Sequence, residues 1–342
     1  MRCRRKELVN LLKLSKRFVS KSDFGETTCF MPGKIIGYDG MIFMQVPFAE
    51  ADVTCAFDLE KLLSVVEGAG GEEVELKLKD GVIEFSSNDT KAELKVKEDV
   101  SVFVEAVDVS GVKFKRLPED LLDAMFLVSF STSKDIANKV FSCVCVDGDM
   151  VFATDNFRVS KYKLKKFINV TFLVPASSVS RLVGFSKEFP LVEFAYDGVF
   201  VHFRSKEGAV FSCRLFLDEE FPSKDTILSV FRVEGKRFEF PEGVKDAVKA
   251  VSFLVKDQFE LDRVVSVSVK GGKVVCRAEK EGEWVEKVVP CGKREKFQFL
   301  CNPDFLVEAL ERAFEVTVGK ESILFRSKDG RFEHLVALYV EE

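Results

Sequence analysis

Phe85-Ser86-Ser87-Asn88-Asp89-Thr90, Phe203-Arg204-Ser205-Lys206-Glu207-Gly208 and Phe325-Arg326-Ser327-Lys328-Asp329-Gly330 are three variants of one strand-turn segment. They lie 118 and 122 residues apart in a chain of 342 residues. Solenoid repeats run at roughly 20–50 residues, so this period is the length of a whole small domain. The chain reads as three tandem copies of one fold, with domains expected at 1–115, 116–236 and 237–342.

Working outward from these segments, each third shows the same order of signals. First helices are expected near Lys6, Pro118 and Glu242. Glycine turns at Asp39-Gly40, Asp147-Gly148 and Gly271-Gly272 predict one hairpin in each third. Second helices are expected near Asp58, Pro175-Ala176 and Asn302-Pro303, where a capping Asp or Asn, or a proline, supplies the start chemistry. Alternating strands follow at Val74-Leu76-Leu78, Val192-Phe194 and Phe314-Val316-Val318. Short polar joints are read at Gly111–Lys115 and Glu234–Gly243. Period-2 strands beside two amphipathic helices predict an α+β domain, with both helices on one face of an antiparallel sheet.

The helices carry the first hint of function. Leu8, Leu11, Leu12 and Phe18 make an apolar stripe, leaving Asn10, Lys13 and Arg17 on another face. In the helix near Glu242, Val244, Val248, Val251 and Val255 are core candidates, while Lys245, Lys249, Ser252 and Lys256 line the opposite side. Acidic residues interrupt the theme at Glu119, Asp120 and Asp123, and at Asp304, Glu308 and Glu311. An ordinary solvated face accounts for such a stripe as readily as a basic lining does.

Composition excludes several classes. With 46% hydrophobic residues the chain can bury sizeable cores. Its nine cysteines form no CxxC pair, so reduced thiols and a cytoplasmic setting are expected. Cys143 and Cys145 fall on one strand face without further metal-ligand partners nearby. Lys13, Lys16 and Arg17 break the apolar start that would otherwise suggest a signal peptide. No stretch reaches the ~18 apolar residues that span a bilayer, so no membrane association is expected. The net charge of −5 does not advertise nucleic acid, although local field rather than total charge governs an encounter. Neither a Walker A pattern nor G-x-S-x-G is present. His202 and His334 sit on strands of different repeats and read as packing residues. Asp147 and Asp149 flank Gly148 as turn formers. Neither catalytic residues nor a cofactor or metal is expected, and the chain reads as a binding protein rather than an enzyme.

Val151-Phe152-Ala153-Thr154-Asp155-Asn156-Phe157-Arg158-Val159-Ser160 stands apart from the repeat. It resembles the A-T-D-G-H-R-L-A segment of the bacterial-type DNA polymerase sliding clamp, the β processivity subunit. Leu173-Val174-Pro175-Ala176, Phe221-Pro222, Asn302-Pro303-Asp304-Phe305-Leu306 and the strand Leu335 to Val340 match that family in the same order, over the whole chain. Asn156-Phe157 replaces Gly-His, and Leu338-Tyr339-Val340-Glu341-Glu342 lacks the M-P-M-R ending. Such divergence fits a phage or otherwise distant clamp.

The resemblance implies three clamp domains per chain and a head-to-tail homodimer closing into a ring around duplex DNA. DNA would be held without sequence readout. DNA polymerase and a clamp loader would be partners, with the protein cytoplasmic and nucleoid-associated (in the host cytoplasm if phage-encoded). DNA-facing positions would be Lys13, Arg17, Lys245, Lys249 and Lys256, with Lys16, Lys21 and Arg181. The partner-peptide pocket would take Phe141, Thr154, Asn156, Phe157, Arg158, Val159, Pro222, Ile227, Val336, Leu338, Tyr339 and Val340. The ring of Phe157 is expected to reshape that pocket and alter the peptide it accepts. The dimer interface would use Ala92 and Leu94 of the Lys91–Val96 strand, and Leu254 and Val255. Two rival readings stand beside this one. One is a clamp-fold scaffold that encircles nothing; the other is an enzyme built around Asp155 and Arg158.

Overall fold

A computed structural model describes residues 1–18, 27–97, 109–135, 137–292, 295–312 and 315–340. In the first third, β1 (Arg2–Arg4) and α1 (Arg5–Phe18) precede β2 (Thr27–Met31), β3 (Lys34–Tyr38), β4 (Ile42–Pro47) and β5 (Cys55–Phe57). Then come α2 (Leu59–Gly68), β6 (Glu73–Lys79), β7 (Val82–Ser86) and β8 (Lys91–Lys95). The middle third opens with β9 (Lys115–Arg116), α3 (Leu121–Val128), β10 (Cys143–Asp147), β11 (Met150–Thr154) and β12 (Arg158–Lys163). It continues with β13 (Thr171–Pro175), α4 (Ala176–Glu188), β14 (Leu191–Tyr196), β15 (Phe200–Ser205) and β16 (Val210–Arg214).

A short helix, α5 (Lys224–Val230), leads into β17 (Lys236–Phe238), α6 (Val244–Ser252), β18 (Val265–Lys270), β19 (Lys273–Lys280) and β20 (Glu283–Pro290). The chain finishes with β21 (Phe297–Cys301), α7 (Pro303–Leu310), β22 (Glu315–Val318), β23 (Ser322–Arg326) and β24 (Phe332–Ala337).

The strand orders carry the triplication. The group β1-β6-β7-β8 recurs as β9-β14-β15-β16 and as β17-β22-β23-β24. The group β5-β2-β3-β4 recurs as β13-β10-β11-β12 and as β21-β18-β19-β20. Two compact units result: Met1–Leu122 with Ser177–Leu217, and Asp123–Ala176 with Asp218–Glu342. In the first unit β4 pairs antiparallel with β16, making an eight-stranded sheet beside a four-stranded one. In the second, β12 pairs antiparallel with β24 in the same way. The sheets are antiparallel throughout, and the fold is α+β.

Local chemistry accounts for the elements. The Asp58 carboxylate accepts from the Lys61 N–H at 3.1 Å to cap α2, and Asn302 accepts from Asp304 and Phe305 at 2.9 and 3.3 Å to cap α7. Val244, Val248, Val251 and Val255 are all buried, as the helical spacing predicts, against β18, β19 and the α7 residues Phe305, Leu306 and Ala309.

Two alternation readings fail at strand ends. Val74 and Leu76 are buried while Leu78 is 40% exposed at the end of β6. A register shift between Leu191 and Glu193 turns Val192 outward, and Phe194 alone is buried. Phe314 lies outside the described residues. No described helix is long and apolar enough to cross a membrane.

Turn equivalence also differs from the sequence reading. Asp147-Gly148 and Gly271-Gly272 join β10 to β11 and β18 to β19, whereas Asp39-Gly40 joins β3 to β4. The matching turn of the first third is Pro32-Gly33, between β2 and β3. Asp-Gly chemistry marks a tight turn but not its place in the topology.

Asn302 also donates Nδ2–H to the Glu260 carbonyl at 2.6 Å, so one side chain starts α7 and fixes the segment before β18. Asn302→Ala is expected to lower stability by about 1–2 kcal/mol, read as a lower urea midpoint. Asp58→Ala should cost less, because its second contact is a solvent-screened ion pair with Lys61 at 3.5 Å.

Candidate functional site

The β11–β12 turn is built by its own side chains. The Asp155 carboxylate accepts from the N–H groups of Phe157 and Arg158, both at 3.0 Å. The Thr154 hydroxyl donates to the Arg158 carbonyl at 2.7 Å and accepts from the Asn156 N–H at 3.1 Å. Asn156 has φ 76°, a left-handed conformation that Gly adopts freely and Asn tolerates best among the rest. That is the physical reason Asn can stand where the resembled segment carries Gly.

The β3–β4 turn is the same device. Asp39 accepts from Met41 and Ile42 at 3.0 and 2.8 Å, and Gly40 has φ 90°. The Met41 carbonyl accepts from Arg214 at 2.7 Å as the Phe157 carbonyl accepts from Ala337 at 2.9 Å. The segment set apart in the sequence is therefore the repeat's second copy, distinguished by its side chains rather than by its backbone.

Arg158 is 3% exposed. Its guanidinium donates to Asp155 at 2.9 Å and to Glu308 on α7, and lies 4.2 Å over the Phe305 ring. A buried charge needs such partners, because leaving it unpaired costs several kcal/mol. One strand residue further, Ser160 shares a 2.8 Å hydrogen bond with Nδ1 of buried His334, its partner across β12–β24. Burial, and then the Arg158 and Arg312 charges, hold His334 well below the usual imidazole pKa. His202 bonds Ser212 at 2.7 Å and Asp197 at 3.0 Å. Both histidines serve packing, as read from sequence. Burial pushes the Cys143 and Cys145 thiols up to about 11 and about 12, leaving them neutral.

Cross-strand register sorts the predicted pocket residues onto two faces. Arg158 pairs with Val336 and Val159 with Leu335. Val336 lies in the core with α6 and α7, so the inward face holds Arg158, Ser160, His334 and Val336. The outward face holds Val159 and Leu335, then Lys161 and Glu333, which are ion-paired at 2.5 Å. Lys161 sits 4.3 Å over the Phe231 ring, at the end of the helix that carries buried Ile227. Leu335, not Val336, thus shares the outward face with Val159. Strand alternation on β24 was the signal that could have found it.

Phe141 is half-buried and packs edge-on to Phe221, next to Pro222. Thr154 is buried, Asn156 exposed, and Phe157 46% exposed. Leu338 packs on the core, Tyr339 donates its hydroxyl to the Leu261 carbonyl, and Val340 is exposed. Beside Phe157 opens a cleft of about 170 Å³ lined by Asp135, Asn138, Glu260 and Leu261, with Lys134 bonded to Glu260 at 2.8 Å. None of those lining residues was singled out in the sequence, for they come from loops without a repeat signature.

The predicted DNA-facing cations are almost all engaged. Lys13 pairs with Glu67 at 2.7 Å and Lys16 with Glu60 at 2.9 Å, both across to α2. Arg17 meets Glu188 at 3.0 Å. Lys245 and Lys249 share Glu311 at 3.7 and 3.3 Å. Arg181 is bonded to buried Asp39, an anchor for the β3–β4 turn rather than a projecting cation. Lys256 is exposed, and Lys21 lies outside the described residues. The helical spacing of the cations was legible, but their carboxylate partners stand on other helices and leave no local trace.

At the predicted interface, Ala92 and Leu94 are half-buried on β8, the end strand of its four-stranded sheet. Leu254 is half-buried and Val255 is core, while Phe253 on the same turn is 63% exposed. Strand β20 ends the other four-stranded sheet and exposes Trp284 and Val288.

The depressed His334 pKa has a testable sign. The unfolded chain takes up a proton near pH 6.5 that the folded chain refuses, so this contribution is complete above that pH and is lost below it. Between pH 7 and 5.5 wild-type stability should fall more steeply than that of His334→Asn, by up to ~1.4 kcal/mol per pH unit. Parallel urea-midpoint profiles for the two proteins would refute the assignment.

No protein-family model matches the sequence, and no curated protein matches it. Solved structures do. A DNA polymerase sliding clamp from Bacillus subtilis superposes with a TM-score of 0.82 at 17% identity, covering 100% of this chain and 99% of that one. The DNA polymerase III subunit beta from Pseudomonas aeruginosa gives 0.82 at 14% identity, covering 100% of both. The DNA polymerase III beta chain of Streptococcus pneumoniae gives 0.81 at 16% identity over 99% of both. From end to end, the chain has the fold of the bacterial DNA polymerase III β sliding clamps.

Proposed function

We propose that this protein is a DNA sliding clamp: a non-catalytic, cytoplasmic factor that closes as a head-to-tail homodimer around duplex DNA and tethers a replicative polymerase. The observation that carries this reading is the pairing rule of the sheets. Within the chain, β4 pairs with β16 and β12 with β24. Each joint matches the last strand of one four-strand group with the last strand of the other kind, contributed by the next repeat. Strands β8 and β20 each stand at one end of a four-stranded sheet, and they are the two strand types that the rule joins. A second copy, turned head to tail, supplies each with its partner. Two identical contacts then close a ring of six domains, bounded at 1–115, 116–236 and 237–342 in each chain. The structures that this chain superposes on bear the names sliding clamp and polymerase III beta, which supports the same reading.

The outward face that holds Val159 and Leu335 would give, with Ile227 and Phe157, a groove suited to a short apolar peptide from polymerase or clamp loader. Phe157 would add a half-exposed ring from the turn before β12. The helix cations would approach phosphates while sharing their charge with Glu60, Glu67 and Glu311, giving weak, sequence-independent attraction that favours sliding over holding.

Val288→Asp on β20 and Leu94→Asp on β8 should each turn the dimer into monomer in sedimentation equilibrium. Persistent dimer in both, or a wild type monomeric at every concentration, would sink the proposal. Glu60→Gln with Glu67→Gln removes the carboxylates that face Lys16 and Lys13 and should tighten DNA binding at low salt, steepening the log–log salt slope by about 1–2. An unchanged slope would place α1 away from DNA.

A further inference from the structure

The loop from β12 to β13 presents a feature that clamp closure and peptide capture leave unused. Lys161, Lys163, Lys165 and Lys166 fall within six residues containing no acid, in a chain of net charge −5. Phe167 follows at 67% exposure, one of the most exposed aromatic rings described. The ring is held, not loose. Leu164 and Ile168 on either side are buried anchors. Leu164 donates its N–H to the Asp149 carbonyl at 2.7 Å, and Ile168 to the Gly148 carbonyl at 3.1 Å. Gly148, at φ 62°, lies directly under the ring: a Cβ there would come within 2.7 Å of it.

Further cations lie close by. The Lys163 N–H donates to the Arg331 carbonyl at 2.9 Å, which brings the Lys328–Arg331 turn alongside the loop. Of the acids nearby, Asp149 pairs with Lys224 at 2.7 Å and Asp329 with Arg331 at 3.9 Å, while Asp147 accepts from Thr171 at 2.8 Å and keeps its charge. The strand β12 runs six residues from the Asp155 turn to this loop, roughly 17–20 Å, so the loop is separate from the peptide groove.

We propose that this loop is a binding site for single-stranded nucleic acid, in which Phe167 stacks on an unpaired base and Lys163, Lys165 and Lys166 hold the flanking phosphates. A fixed, solvent-facing ring beside clustered lysines is the combination that sequence-tolerant single-strand binding uses. Duplex bases are covered above and below by their neighbours, so a ring projecting from a surface reaches only an unpaired one. The inference does not depend on ring closure.

The test is fluorescence anisotropy of a labelled 12-nucleotide oligodeoxythymidylate at low salt, with the full-length protein. Phe167→Ala should weaken binding about 10-fold. Lys165→Gln with Lys166→Gln should lower the log–log salt slope by about 1.4. Phe167→Trp should keep binding and show oligonucleotide-induced quenching beyond that of Trp284. Lys13→Gln with Lys249→Gln, on the helices, should weaken this binding less than Phe167→Ala does. These positions are exposed, and unaltered melting curves would confirm intact folding. Absence of oligonucleotide binding, or binding indifferent to Phe167→Ala, would overturn the proposal. So would loss confined to the helix variant, or preference for anionic lipid vesicles or an acidic peptide over the oligonucleotide.

Discussion

Backbone hydrogen bonds between the last strands of two four-strand groups are the interaction on which the rest of this structure depends. A strand edge left bare exposes a row of unpaired N–H and C=O groups and invites any neighbour to pair. The chain covers such edges on four strands by joining β4 to β16 and β12 to β24. Among the strands left at sheet ends, β8 and β20 have restrained chemistry: β8 alternates Lys91, Glu93 and Lys95 with Ala92 and Leu94, and β20 carries Glu283, Glu286 and Lys287 and ends at Pro290. Charge discourages casual aggregation, while the apolar residues between give a specific partner something to bury. A heterologous contact of this kind closes a ring or runs on as a fibre. Triplication, then, is more than a record of ancestry: in the proposed ring it would make the joint between chains a further instance of the joint within them.

The same joint positions the candidate site. Because β12 pairs with β24, Arg158 from the middle repeat reaches Glu308 and Phe305 on α7 of the last. The inward row of β12 and β24 is polar, with Ser160, His334 and Arg158, yet these groups are engaged: Ser131 bonds Ser160 at 2.7 Å, and Ser160 bonds His334. Such a network tolerates substitution poorly, since removing one member strands another away from water. The outward row holds buried Val159 and Leu335 and the Lys161–Glu333 pair, and the chain departs from the segment it resembles at Phe157 and in the Leu338–Val340 tail.

Much of this was legible in the sequence because it is locally encoded. Asn302 and Asp58 announce helix starts through their side-chain chemistry, and Asp147-Gly148 announces a hairpin through backbone freedom. The valines of α6 name its buried face by spacing alone. What stayed hidden is long-range. Glu60, Glu67 and Glu311 neutralise cations far away in the chain, so a stripe that reads as basic is largely self-paired. Val336 and Leu335 are equally apolar, and only the register with Val159 shows which faces outward. Leu78 and Val192 follow the alternating pattern, yet a strand end and a bulge expose them. The turn at Asp155 looked unique because its side chains differ, whereas its hydrogen bonds repeat those of Asp39.

The most direct measurement of the central claim is negative-stain imaging of the purified protein at a concentration that holds a weak dimer. The account predicts a closed, six-lobed ring with a hole wide enough for duplex DNA. Compact particles without a hole, or open filaments, would contradict it, because either would mean that β8 and β20 do not find each other as the strands within the chain do.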